Sequence, residues 1–156
     1  MTVHQLIQQF ALHANLPTFA LDAQGCARLM ADEKFAVQFE HDESARCLHL
    51  YSVLGKLPAE GRETLFAQLL QANLFGADTA GATLAIDAEH GEIVLCDRVD
   101  LDDANVDADQ LVRRVERVLS QSELWVERLT GSALTSAPSI PMAPHVTAPP
   151  PLGSFA

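Results

Sequence analysis

Basic side chains are scarce. Ten Lys and Arg stand against 21 Asp and Glu in 156 residues, a formal net charge of −11. That balance excludes a nucleic-acid backbone as principal partner, because such affinity comes largely from Lys and Arg. It excludes an anionic membrane surface for the same reason. A neutral or basic protein partner and plain solubility both remain open. Aromatic residues are also few, 6%, with one Trp and one Tyr. With 48% hydrophobic residues the chain still folds, on a core of mainly Leu, Val, Ile and Ala. The length suits a single domain.

Cysteines number three, Cys26, Cys47 and Cys96, and no CxxC occurs. An odd set without that spacing is no disulfide framework. It reads as reduced, mostly buried thiols in a cytoplasmic protein. No uncharged apolar run reaches 18 residues, so no membrane span is expected. The opening "MTVHQLIQQF", broken by Gln and His, lacks the pattern of a signal peptide. GxSxG, a phosphate loop, HExxH and GxGxxG are all missing, and nothing raises a catalytic triad. No cofactor is expected.

What the chain does have is periodicity. Val3, Leu6, Ile7, Phe10 and Ala14 form one helical stripe. Thr2 and Gln5 read as its capping box, and Pro17 stops it. Residues 26 to 54 read as strands. "FAVQFEH" alternates with Phe35, Val37 and Phe39 on one face, and "CLHLYSVL" puts Leu48, Leu50 and Leu54 on one face. The other face, Cys47, His49, Tyr51 and Val53, is also largely apolar, which predicts a central or doubly covered strand. Asp22 to Gly25 and His41 to Arg46 supply turns.

A second helix is expected to open at Pro58 and Glu60, with the stripe Leu65, Phe66, Leu69, Leu70, Asn73 and Leu74. Gly76 and Gly81 bound the loop after it. "ATLAID" and "EIVLCDRV" make a hairpin across "AEHG". The last helix starts near Asp107 to Asp109 and ends near Leu129, with an Asp as N-cap. The order α-β-β-β-α-β-β-α has strands in neighbouring runs. This favours antiparallel pairing and an α+β fold: a twisted sheet of about five strands packed with three helices.

From Gly131 the composition shifts. The last stretch holds six of the eight prolines and no Asp, Glu, Lys or Arg. The expected organisation is a folded domain over 1–130 and a disordered Pro-rich tail over 131–156. Pro138, Pro141 and Pro144 keep the polyproline II interval, and an inert extension is preferred over a docking peptide.

Two groups of side chains have the chemistry of metal ligands. Asp103, Asn105, Asp107 and Asp109 match calcium-loop positions, but Ala108 and Arg114 stand where Gly and Glu are needed. The run is better read as a solvated acidic loop. His41, Cys47 and His49 match no zinc-module spacing. No metal site is expected.

The broad stripe of the second helix, with adjacent apolar pairs, suggests a face left over for a second copy through a two-fold interface. Taken in order, several segments resemble the type III secretion chaperones of the CesT, or Tir chaperone, family. They are the opening helix ending "ANLP", the pair "GCARLMADEKFAVQFEHD", "LHLYSVLGKLP", "LFAQLLQANLFGADTAGATLAIDAEHGEIVLCDRVDL" and a helix ending "LWVERL". The resemblance implies a cytoplasmic homodimer without enzymatic activity. It would hold the N-terminal region of a secreted effector non-globular and help deliver it to the secretion ATPase.

Mapped onto this chain, the resemblance implies dimer contacts at Leu65, Phe66, Leu69, Leu70, Phe75, Leu84 and Ile86. It implies client contacts at Phe35, Val37, Phe39, Leu48 and Leu50, with Leu6 and Phe10 in support. The rival expectations are a dimeric α+β adaptor for a folded partner and an acidic metal-dependent enzyme.

Overall fold

The computed structural model describes residues 1–131. It contains α1 (Val3–His13), β1 (Cys26–Ala31), β2 (Phe35–Asp42) and β3 (Cys47–Lys56). These are followed by α2 (Arg62–Asn73), β4 (Thr83–Asp87), β5 (Glu92–Asp100) and α3 (Ala108–Thr130). The five strands form one antiparallel sheet in the order β1-β2-β3-β5-β4. The expected α+β architecture is the one observed. The Pro-rich segment lies outside the described residues from 132 onward.

Alternation explains the sheet's two faces. Phe35, Val37 and Phe39 of β2, Leu48, Leu50 and Leu54 of β3, and Ile93, Leu95 and Val99 of β5 all point to one side. α1 and α3 close that side. α1 contributes Val3, Leu6, Ile7 and Phe10, and α3 contributes Leu111, Val115, Val118 and Trp125. Phe10, Phe19 and Phe39 meet at centroid separations of 5.0 to 5.6 Å. α2 lies beside β4 and gives only Leu65, Leu69 and Ala72 to the core. β3 is central, as expected, yet its second face stays partly open at Val53.

The helix starts follow local chemistry. The Thr2–Gln5 capping box forms, with both reciprocal hydrogen bonds present. Asp107 caps α3 by accepting from the Gln110 N–H at 2.8 Å. Asp107→Ala should therefore cost about 1 kcal/mol of unfolding free energy by urea denaturation; no change would remove the cap from the account. α2 begins later than expected. Its N-cap is Gly61 in the left-handed region, with no side-chain cap, so Pro58 and Glu60 remain in the preceding loop. No helix among the described residues is long and apolar enough to cross a membrane.

Candidate functional site

The first uncovered surface lies along α1. Once Val3, Leu6 and Phe10 turn inward, the opposite flank of α1 faces the segment after Pro17. The groove between them has Ile7 and Ala11 at its floor and Leu12, Pro17, Phe19 and Leu21 at its rim. Leu12 is 69% exposed, a large apolar side chain that no neighbour covers among the described residues.

The nearby sheet edge is β1. The Asp22 side chain accepts from the Cys26 N–H, and the Asp22 N–H donates to the Cys26 carbonyl, so one residue seals the start of the edge. Backbone groups alternate along a strand. Those of Arg28 and Met30 consequently point outward, without a protein partner among the described residues.

The second uncovered surface lies between α2 and β4. Phe66, Leu69 and Leu70 of α2 face Leu84, Ala85 and Ile86 of β4 across a shallow, almost wholly apolar groove. Asn73 joins the two elements. Its side-chain amide donates to the Leu84 carbonyl at 2.9 Å and accepts from the Leu84 N–H at 2.8 Å, standing in for a neighbouring strand. Beyond it, Phe75 is 97% exposed on a backbone with φ 56, which a bulky residue rarely adopts. Gly76 is required there, since a Cβ would sit 2.8 Å from the Gly81 Cα. From Ala85 an apolar row continues over the open sheet face through Val94 and Val53, which are cross-strand partners.

The expected site residues divide cleanly. All seven expected client residues, Phe35, Val37, Phe39, Leu48, Leu50, Leu6 and Phe10, are core, none more than 8% exposed. Phe35, Val37, Phe39, Leu48 and Leu50 lie on the sheet face that α1 and α3 cover, and Leu6 and Phe10 lie on the side of α1 that covers it. Of the expected dimer residues, Phe66, Leu70 and Phe75 are exposed and Ile86 is partly buried. Leu65, Leu69 and Leu84 belong to the core. Leu12 has no sequence signal, since a lone exposed Leu looks like any other, and Asn73 reads from sequence only as a member of the α2 stripe, with no sign of its bonds to β4.

The acidic run is occupied with its own backbone. Asp100, Asp103 and Asp107 each accept from an N–H two or three residues on. Arg46 holds Asp102 in an exposed ion pair, first by hydrogen bonding, which keeps that carboxyl below the ordinary range. Of the three free cysteines Cys47 is buried, and Cys26 and Cys96 are only partly buried. Burial, then the Asp97 charge, pushes the Cys96 thiol up.

The chain and its fold have known relatives. The model of the Tir chaperone protein (CesT) family matches residues 5–126. The Chlamydia pneumoniae protein CPj0713/CpB0740 is 32% identical over 129 residues, spanning 81% of this chain and 95% of its own. The fold superposes on a chain of the HopA1–SchA chaperone–effector complex with a TM-score of 0.65 at 20% identity, covering 79% of this chain and 91% of that one. It likewise matches a chain of the complex between the Yersinia pestis type III secretion chaperone SycH and a fragment of YscM2. There the TM-score is 0.63 at 17% identity, with 80% of this chain and 99% of that one covered. The family match runs from inside α1 to inside α3, across every strand of the sheet, and the chain belongs to the Tir chaperone protein (CesT) family of type III secretion chaperones.

Proposed function

We propose that this chaperone acts in the bacterial cytoplasm as a homodimer, through α2 and β4. It binds the N-terminal region of an effector along α1 and the β1 edge and keeps that region non-globular for export. The observation that carries the reading is the separation of two uncovered apolar surfaces on one small fold. One surface is left for a second copy and the other for a guest. A segment adding to β1 makes backbone hydrogen bonds whatever its sequence. Each bond nets about 0.5–1.5 kcal/mol, against about 1–2 kcal/mol to order each guest residue. Apolar anchors in the α1 groove, about 1.5–3 kcal/mol each, supply the surplus. Two such grooves per dimer let one long segment gather more anchors. Hand-over to the secretion ATPase is part of the same proposal. The net charge of −11 favours basic or neutral partner surfaces.

Hydrogen exchange of the full chain, with and without the purified N-terminal region of an effector, tests this reading. The backbone of Arg28 and Met30 should gain protection while the bound segment stays protease-sensitive. Leu12→Asp should weaken the complex roughly tenfold to hundredfold, the worth of one buried anchor. Binding only to the folded effector, with β1 unprotected, would favour the adaptor reading instead.

A further inference from the structure

We propose that Asp42, Cys47 and His49 form a binding site for a thiophilic divalent metal ion of the zinc type, on the open face of the sheet. The three residues come from the two strands of one hairpin. Asp42 ends β2 and pairs directly with Cys47, the first residue of β3, and His49 follows two residues on along the same face. One ligand atom from each lies within 4.8 Å of the others. The Cys47 sulfur and the His49 Nε2 are 3.3 Å apart. A tetrahedral zinc ion with bonds of about 2.3 Å to sulfur and about 2.0 Å to nitrogen asks for roughly 3.5 Å between them.

His41 does not belong to the set. Alternation sends its side chain to the helix side of the sheet and brings Asp42 to the open side in its place. The aspartate is already oriented. Its Oδ1 accepts from the Ala45 N–H at 2.8 Å and from the Ser44 hydroxyl at 2.7 Å, leaving Oδ2 to turn toward Cys47. Those bonds, the Ala45 one foremost, also hold the carboxyl below its ordinary range. Oriented outer-shell donors of this kind accompany metal ligands. A sulfur, nitrogen and oxygen set suits zinc or cobalt rather than calcium or magnesium. Three ligands leave a fourth position for water.

Arg98 is the competitor. It pairs with His49 across β3–β5, which sets its positive charge beside the Cys47–His49 pair. Its hold is a 3.3 Å bond from Nη2 to the Ala45 carbonyl, and the side chain is exposed, so it can swing away. Glu40 and Asp100, cross-strand neighbours of His49 and Cys47, offset its charge.

The test is a Co²⁺ titration of the reduced, chelator-treated full chain. The expected result is one equivalent per chain, a thiolate-to-cobalt charge-transfer absorption, and its loss on adding Zn²⁺. Cys47→Ser should lose that absorption while Cys96→Ser keeps it. His49→Gln and Asp42→Asn, both at partly exposed positions, should weaken binding by at least about tenfold. Arg98→Ala should tighten it. No charge-transfer absorption in the parent chain would overturn the proposal. So would an unchanged affinity in a folded His49→Gln variant, which keeps the test decisive even if Cys47→Ser fails to fold.

Discussion

Asp97→Ala should lower the unfolding free energy by about 3–5 kcal/mol, the cost of removing one partner from a buried ion pair. Asp97 lies on β5 between Leu95 and Val99, on the face that the helices cover, and its side chain is 7% exposed. The α3 guanidinium groups of Arg114 and Arg117 close on its two carboxylate oxygens, Arg114 at 3.0 Å. The Arg98 N–H donates to it as well. The arginine side chains are 29% and 31% exposed, so solvent shares their charge but not that of Asp97. Arg117 Nε is buried without a partner among the described residues, which leaves Asp97 as the main compensation for that group.

Truncation would strand two cations against Leu and Val. Thermal unfolding should fall by on the order of 10–20 °C for a domain of this size. Replacing all three residues together by Met and Leu should cost less than Asp97→Ala alone, because no charge is then left unpaired. Equilibrium urea unfolding of the single and triple variants decides this. A single-variant loss below about 1 kcal/mol would mean that water screens the pair as it does a surface bridge.

That network shows where sequence reasoning stops. The alternation of "EIVLCDRV" places Asp97 on the inward face with Ile93, Leu95 and Val99, yet a lone acidic residue there gives no sign of two arginines arriving from α3. Element order, the β4–β5 hairpin and both acidic and hydroxyl caps were legible, because each rests on contacts between residues close in the chain; the β3–β5 pairing, which joins Cys47 to Asp100, was not. Period two told which side chains of β2 and β3 share a face. It could not tell whether that face would be covered, so Phe39 and Leu50 looked as available to a guest as Leu12. Coverage depends on α1 and α3, and is settled only by packing. The role of Asn73 was illegible for the same reason: its partner, Leu84, is eleven residues away across a loop.

Leu70→Asp should dissociate the dimer while leaving each protomer folded. Leu70 is 71% exposed on the outer side of α2, beside Phe66 and above the β4 groove. On the proposed two-fold interface every contact occurs twice, so one substitution removes two apolar anchors. At about 1.5–3 kcal/mol each, the loss is roughly 3–6 kcal/mol, or a hundredfold to ten-thousandfold in the dimer dissociation constant. Two aspartates brought together near the axis add repulsion. The neighbouring Leu69 is a poor choice for the same purpose. It is a core residue, so Leu69→Asp would bury a charge and unfold the protomer, and a changed elution volume would say nothing about the interface. Sedimentation velocity at micromolar concentration separates the outcomes. The parent chain should sediment as a dimer and Leu70→Asp as a monomer with an unchanged unfolding midpoint of the isolated protomer. A monomeric parent would remove the need for any partner on α2. A dimeric Leu70→Asp variant would move the axis away from that helix, toward the open sheet face where Val53 and Val94 pair.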